Sequence, residues 1–182
     1  MGANIILAMG ALVIFGTFLS SSNRLMTANT QIAEQNEYYI SAISLAQGVI
    51  DEAKSKAFDQ NTDTSIVTLT GSLTAPGSLG KDGAAESVPN PDTLYSGAPF
   101  SASSPGYRST AKFNDIDDYN DYKRRVNTPR AEGFTVSVKV NYANETTPDL
   151  SLAVRSFCKR MVVTVSSPFL TSPVKLSYAF TY

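Results

Sequence analysis

The sequence has no histidine and no tryptophan, and Cys158 is its single cysteine. Without histidine, no side chain has an ordinary pKa close to neutrality, and neither a Ser-His-Asp triad nor a histidine-ligated zinc site can form within one chain. The sequence also lacks a glycine-rich phosphate loop, a paired-cysteine set and a nucleophile elbow. We therefore expect a protein that is not an enzyme and that needs no cofactor.

A lone cysteine cannot form an intrachain disulfide, and free cysteines are usually small buried residues, so we expect Cys158 to lie inside a strand. Charge is also scarce, since only 17% of the residues are charged and the net charge is −1. A nearly neutral chain has no general attraction to nucleic acid, and we expect no nucleic-acid partner.

The first charged side chain is Arg24, and everything before it is apolar or neutral. Residues 5–19, with their neutral flanks, approach the length of ~20 apolar residues that spans a bilayer. No basic residue precedes this run and no small-residue cleavage site follows it, which argues against a secretory signal peptide. A buried helix in a soluble protein is the alternative, but the rest of the sequence supplies no surrounding bundle. The run therefore needs either a membrane or other copies of itself to cover it.

We interpret residues 1–58 as one helix, apolar in residues 1–24 and amphipathic in residues 25–58, followed by a head in residues 59–182. In the amphipathic part, apolar residues recur at spacings of 3, 4 and 7, which is typical of one helical face. The members of this stripe are Leu25, Ile32, Tyr39, Ile43, Ala46, Ile50, Ala53 and Ala57. The residues predicted to mediate self-assembly are Ile5, Ile6, Leu7, Leu12, Val13, Ile14, Phe15, Phe18 and Leu19.

In the head, antiparallel strands are predicted over 134–142, 156–166 and 174–182, of which the first and the last alternate apolar and polar residues. A short strand is also predicted over 65–73, and a long loop over 74–130. Aromatic residues in that loop are expected to anchor it to the sheet; they are Tyr95, Phe100, Tyr107, Phe113, Tyr119 and Tyr122. A helix packed on one face of this sheet gives an α+β fold.

An acidic stretch in the loop offers several oxygen donors for calcium. The candidate ligands are Asp115, Asp117, Asp118, Asn120 and Asp121. Their spacing does not match an EF-hand, and the other interpretation is a solvated acidic turn that the following run Lys123, Arg124 and Arg125 neutralises. We interpret that basic run as forming ion pairs, within a subunit or between neighbours, and not as binding nucleic acid.

The plan of an apolar helix, an amphipathic continuation and a small antiparallel sheet resembles the type IV pilin superfamily, which includes the pseudopilins of type II secretion. The likeness covers most of the chain. It is carried by AISLAQ at 42–47 with DEAK at 51–54, by the sequence around 134–142 and 159–166, and by NDIDDYN at 114–120. That last motif is similar to an Asp-rich loop of mannose-sensitive-haemagglutinin-type minor pilins.

The resemblance implies a structural subunit of an extracellular filament on the cell surface, inserted in the membrane before assembly and then held by copies of itself. Two other functions are compatible with it: a pseudopilin of a secretion system, and a single-pass anchored binding domain. The chain departs from the family pattern because no basic leader precedes the apolar run and Ile5 stands where a glutamate is usual. A cut after Gly2 would place Leu7 at that position instead, so packing of the apolar face, helped by Asn4, is expected to set the helix register.

Overall fold

One helix, α1, spans Gly2–Lys54 in the computed structural model, which describes residues 2–93, 106–128 and 133–182. A five-stranded, mostly antiparallel sheet follows, so the α+β prediction is confirmed. The later elements, in chain order, are β1 (Asp92–Thr93), α2 (Arg108–Lys112), β2 (Lys123–Val126), β3 (Phe134–Tyr142), β4 (Cys158–Ser166) and β5 (Val174–Thr181).

No proline interrupts α1, and the serine-rich segment 20–23 continues the helix without a break. The helix ends at Lys54, four residues before the predicted end at Phe58. The reason is a competing set of partners, because the Ala57 N–H donates to the Asn114 carbonyl (3.0 Å) and the Ile116 N–H donates to the Ala57 carbonyl (3.0 Å). Ala57 therefore forms an isolated parallel bridge with Asp115 of the acidic turn instead of continuing the helix.

The chain divides into two compact units, Met1–Tyr38 and Tyr39–Tyr182. The second unit contains the end of α1, which packs on the sheet through a narrow face rich in alanine; its buried members are Ala42, Ala46, Val49, Ile50 and Ala53. Alanines allow the helix backbone to approach its neighbours closely. The predicted stripe is confirmed at Ala46, Ile50 and Ala53, which are buried against the sheet. Ile43 is instead 47% exposed, and Val49, which is not in the predicted stripe, is buried.

The sheet has the strand order β1-β2-β3-β4-β5, and every pairing is antiparallel except that of β1 with β2. The strand β3 has the predicted bounds, and its predicted face is buried throughout, with Phe134 and Tyr142 at its two ends. Cys158 is buried at the start of β4, which confirms its predicted place. The residues of the edge strand β5 are exposed or half-buried except Phe180, so the predicted burial of one whole face holds only there.

Two predictions for the head are wrong. The segment 65–73 is not a strand, because its only regular element is the 3-10 helix Thr70–Ser72. The predicted loop 74–130 contains β1, α2 and β2. The strand β2 alternates exposed and buried residues as strands do, but Arg124 occupies a buried position, so charge hides the pattern.

Aromatic anchoring of the loop is confirmed where the structure describes it. Phe113, Tyr119 and Tyr122 are buried and meet edge to face, with ring centroids 4.9–5.9 Å apart. Tyr107 is half-buried, and the other two predicted anchors, Tyr95 and Phe100, lie outside the described residues.

Candidate assembly surface and buried charge clusters

The nine residues predicted to mediate self-assembly all lie on the surface of α1. Their exposed fractions run from 48% at Leu19 to 74% at Leu12. Every described residue from 2 to 36 is exposed. This long apolar surface has no cover within its own unit of the chain.

The surface is apolar on all sides of the helix. Successive residues of an α-helix point about 100° apart, and the consecutive residues Ile5, Ile6 and Leu7 are all large, apolar and exposed. A helix that is apolar all round is normally enclosed by protein or by lipid. By length and composition α1 can cross a membrane; signal sequences and core helices share that property, but this apolar stretch is not buried. The helix therefore suits association with a membrane or with partner helices.

Thr17 is the one polar side chain within residues 5–19. Its Oγ1 donates to the Ile14 carbonyl at 2.9 Å. A hydroxyl that is hydrogen-bonded to its own helix can face an apolar environment without the cost of a lost hydrogen bond. Enclosure of this segment in lipid or among other helices therefore leaves no unsatisfied hydroxyl donor.

The candidate calcium ligands fall into two groups. Asp115, Asp117 and Asp118 are buried, whereas the Asp121 side chain is 74% exposed and meets Lys139 at 3.1 Å. Asn120 uses its side chain to hold the fold, since its amide donates to the Leu79 carbonyl and its oxygen accepts from the Val140 N–H. For the three buried aspartates, the interpretation as a solvated turn is wrong.

The cation that contacts the buried acidic turn is Lys159 of β4, and not a member of the basic run 123–125. Its Nζ lies 2.6 Å from Asp117 Oδ1 and 2.9 Å from Asp59 Oδ2, and all three side chains are fully buried. Nζ also donates to the Phe58 carbonyl at 2.7 Å. The sequence gives a weak signal for this contact, a lysine at a position where the other members of the strand face are apolar.

The two carboxyls bound to Lys159 respond to burial in opposite ways. Burial raises the pKa of Asp59, but the hydrogen bond and charge of Lys159 outweigh it, and the pKa of Asp59 is lowered. For Asp117 burial outweighs Lys159, and the pKa is raised. One lysine is not sufficient to keep the whole turn ionised.

Two further carboxyls in the turn favour their neutral forms. Burial and the charges of Asp117 and Asp118 raise the pKa of Asp115 to about 9. Burial, and to a smaller extent the charge of Glu86, raises the pKa of Asp118 to about 7. The Asp118 side chain accepts from the N–H groups of Asn114 and Asp115, so the turn folds around it.

Within the described ranges, no set of three or more acidic, histidine or cysteine side chains is placed so that it could hold a metal ion. Three buried carboxylate oxygens of the turn nevertheless have no hydrogen-bond partner: Asp115 Oδ2, Asp117 Oδ2 and Asp118 Oδ1. Calcium binding by this turn remains a prediction. Protons that the carboxyls retain because their pKa values are raised are the other way to reduce the negative charge of the turn.

A second buried cluster joins the last turns of α1 to β2. Arg124 donates to Glu52 Oε2 at 2.6 Å and to Ser109 Oγ at 2.9 Å, and its guanidinium stacks 3.8 Å from the centre of the Tyr107 ring. Glu52 Oε1 also accepts from Tyr119 Oη at 2.9 Å. The predicted ion pairing is thus confirmed for Arg124, but its partner is a helix residue 72 positions earlier in the chain.

Comparison with known proteins gives no match: no family model, no curated protein and no solved structure matches this chain. The pilin-like character of the chain therefore rests on its architecture, a long apolar N-terminal helix whose second half packs on a C-terminal antiparallel sheet.

Proposed function

We propose that the chain is a structural subunit of a pilin-like filament on the cell surface, which polymerises through the first part of α1. The proposal assigns it no catalytic role. The observation that carries it is the exposed apolar surface of residues 2–22, which needs a cover that its own unit of the chain does not supply.

Before assembly, the membrane covers this surface. Complete burial of one large apolar side chain stabilises by about 1.5–3 kcal/mol relative to exposure in water, so the helix stays in lipid until other helices replace the lipid contacts. Extraction into a filament exchanges one apolar environment for another. Because lipid tails and apolar side chains are similar in polarity, this exchange gains no hydrophobic free energy. Close packing between the helices must therefore favour the polymer.

Electron microscopy of the purified full-length protein tests the proposal. Long filaments are expected. Short assemblies would favour a pseudopilin, and monodisperse monomers in detergent would favour an anchored binding domain. Deletion of residues 1–22 is expected to abolish filaments, and filaments that persist after this truncation would contradict the mechanism.

Point variants separate assembly from membrane insertion. Phe15→Ala keeps the helix apolar but removes packing volume, so the variant is expected to reach the membrane normally and to form several-fold fewer filaments. Leu12→Lys is expected to impair both steps, because a lysine near the centre of a membrane helix costs about 2.5–3.5 kcal/mol. Ile66→Lys is the control, since Ile66 is 88% exposed in the head; its filament yield is expected to match that of the wild type.

A further inference from the structure

The apolar surface by itself does not define how far one helix is shifted along the next. Residues 5–19 offer similar large side chains on every face, so many axial positions bury comparable area. No acidic residue lies in 2–33, so no carboxylate within the apolar segment can fix the position. A polymer with one defined geometry requires another feature that distinguishes one axial position from the next.

The first two charges of the helix provide such a feature. Arg24 is the only charged residue in 2–33, and Glu34 is the next one. Both are exposed, and none of the ion pairs among the described residues involves either of them. Ten residues of helix separate them by about 15 Å, whereas ion pairs within a helix join residues three or four apart. Each charge is therefore available to a second copy.

We propose that Arg24 of one copy pairs with Glu34 of a parallel neighbour, and that this pair sets a stagger of ten residues between the two helices. The inference rests on the proposed function, because insertion of every copy in the membrane with one orientation makes the helices parallel. Arg24 lies five residues beyond Leu19, at the margin of the apolar segment. Packing of that segment partly excludes water there, and a partly buried pair is screened less by salt than an exposed one.

Two of the residue pairs that become level at this stagger have small side chains. One turn before the charge pair, Ser20 lies level with Thr30 of the neighbour, and two turns before it Thr17 lies level with Thr27. Small residues let helix backbones approach closely. The three threonine hydroxyls donate to carbonyls of their own helix at 2.9–3.0 Å, so close packing leaves none of these donors without a partner.

The geometry also favours an open polymer. Arg24 and Glu34 lie about 80° apart around the helix axis, given 100° per residue. One copy therefore uses different faces to bind the neighbours on its two sides. Such a heterologous contact leaves each new copy with a free face for the next one and produces a filament when the rotation does not close.

Charge exchange in the full-length protein tests the pair. Arg24→Glu and Glu34→Arg are each expected to lower filament yield by more than about tenfold, because like charges would then face each other. The double variant restores an opposite pair, and its yield is expected to return to within about twofold of the wild type. Normal assembly of both single variants, or a double variant as poor as the singles, would overturn the stagger while leaving the filament proposal intact.

The matched control exchanges two exposed head charges, Lys81→Glu with Asp63→Arg, and is expected to assemble normally. Absence of filaments from the wild type would overturn the proposed function and the stagger with it. Unchanged thermal melting of each variant shows that its head remains folded.

Cross-linking provides a second readout that keeps both charges. In a Cys158→Ser background, Ser20→Cys together with Thr30→Cys is treated with a short bifunctional thiol reagent after assembly. A ladder of multimers is expected from the double-cysteine chain and none from either single-cysteine chain. Dimers from the Ser20→Cys chain alone would show unstaggered helices, and absence of a ladder in intact filaments would equally overturn the proposal.

Discussion

At the scale of single residues, Lys159 and the carboxyls around it dominate the head. Two carboxylates contact Lys159 directly, and Asp115 and Asp118 lie next to them in the same buried turn. Burial of charge is costly unless each charge is paired. The balance between protons and positive charge in this cluster therefore determines how stable the head is at a given pH.

Head stability is expected to fall as the pH rises from 4 to 9. The folded-state pKa values of Asp118 and Asp115 are raised from 3.8 to about 7 and about 9, so in this range the folded state binds more protons than the unfolded state and stability decreases with pH. The lowered pKa of Asp59 acts in the opposite direction, but only at lower pH, below its ordinary value. Thermal melting of the full-length protein in a nonionic detergent should show a midpoint lower by at least about 3 °C at pH 9 than at pH 5.

Asp118→Asn imitates the neutral acid and is expected to make the fall in stability less steep between about pH 4 and 7, whereas Asp115 keeps a fall that extends to about pH 9. The control is Asp121→Asn, in the same turn but on an exposed side chain, which should leave the profile unchanged. A wild-type melting midpoint that does not change with pH would contradict the explanation that Asp115 and Asp118 retain protons in the folded state. A melting midpoint at pH 8 that drops on addition of a chelator would instead show that a bound cation neutralises the turn, as the calcium interpretation requires.

Replacement of the buried lysine should be strongly destabilising. Lys159→Met leaves Asp59 and Asp117 buried without their cation, and removal of one partner of a buried pair costs about 3–5 kcal/mol. The measurement is the free energy of unfolding by guanidinium, with Lys175→Met on the exposed face of β5 as the control, for which a change within about 0.5 kcal/mol is expected. Addition of Asp117→Asn to Lys159→Met should recover part of the loss; a loss below 1 kcal/mol for Lys159→Met itself would show that the carboxyls are already neutral.

At the scale of elements, the last four turns of α1 hold the head together through a narrow apolar face. Ile50 is almost fully buried in this face, whereas Ile40, ten residues earlier, is 64% exposed. The same side chain thus occurs in two environments on one helix, which provides a comparison matched in chemistry and in helix propensity.

Ile50→Ala is expected to lower the free energy of unfolding by about 2–5 kcal/mol, because the change removes buried methyl groups and leaves a cavity. Ile40→Ala should change it by less than about 0.5 kcal/mol. Denaturant unfolding followed by circular dichroism measures both values. Equal losses in the free energy of unfolding for the two variants would show that the buried face of α1 is assigned wrongly.

Predictability from sequence differs between elements for physical reasons. Strands β3 and β5 alternate apolar and polar residues and β4 is rich in valine, so the sequence predicts all three with errors of no more than two residues at their ends. In β2 the inward residue Arg124 is charged and its partner Glu52 is remote in sequence, so local pattern gave no sign of a strand. The exposure of Ile43 could not be foreseen either, because the choice between adjacent helix faces depends on the shape of the sheet surface.

At the scale of the whole molecule, the α+β fold and the exposed apolar surface followed from the order of apolar, amphipathic and alternating segments. The buried clusters did not, because Asp117 and Lys159 are 42 residues apart and pair only after β4 has taken its place in the sheet. The acidic turn was accordingly expected to be solvated. Composition alone does not tell whether a run of aspartates faces water or a buried lysine.

Two of the ion pairs, one on each side of the end of α1, have a mechanical consequence. Glu52 lies in the last turn of α1 and Asp59 lies five residues beyond its end, and each is tied to a different strand, by Arg124 in β2 and by Lys159 in β4. A tensile load on the helix is therefore shared by two anchor points on either side of the junction. We therefore expect the segment between Glu52 and Asp59 to leave the head under load only after both ion pairs have broken.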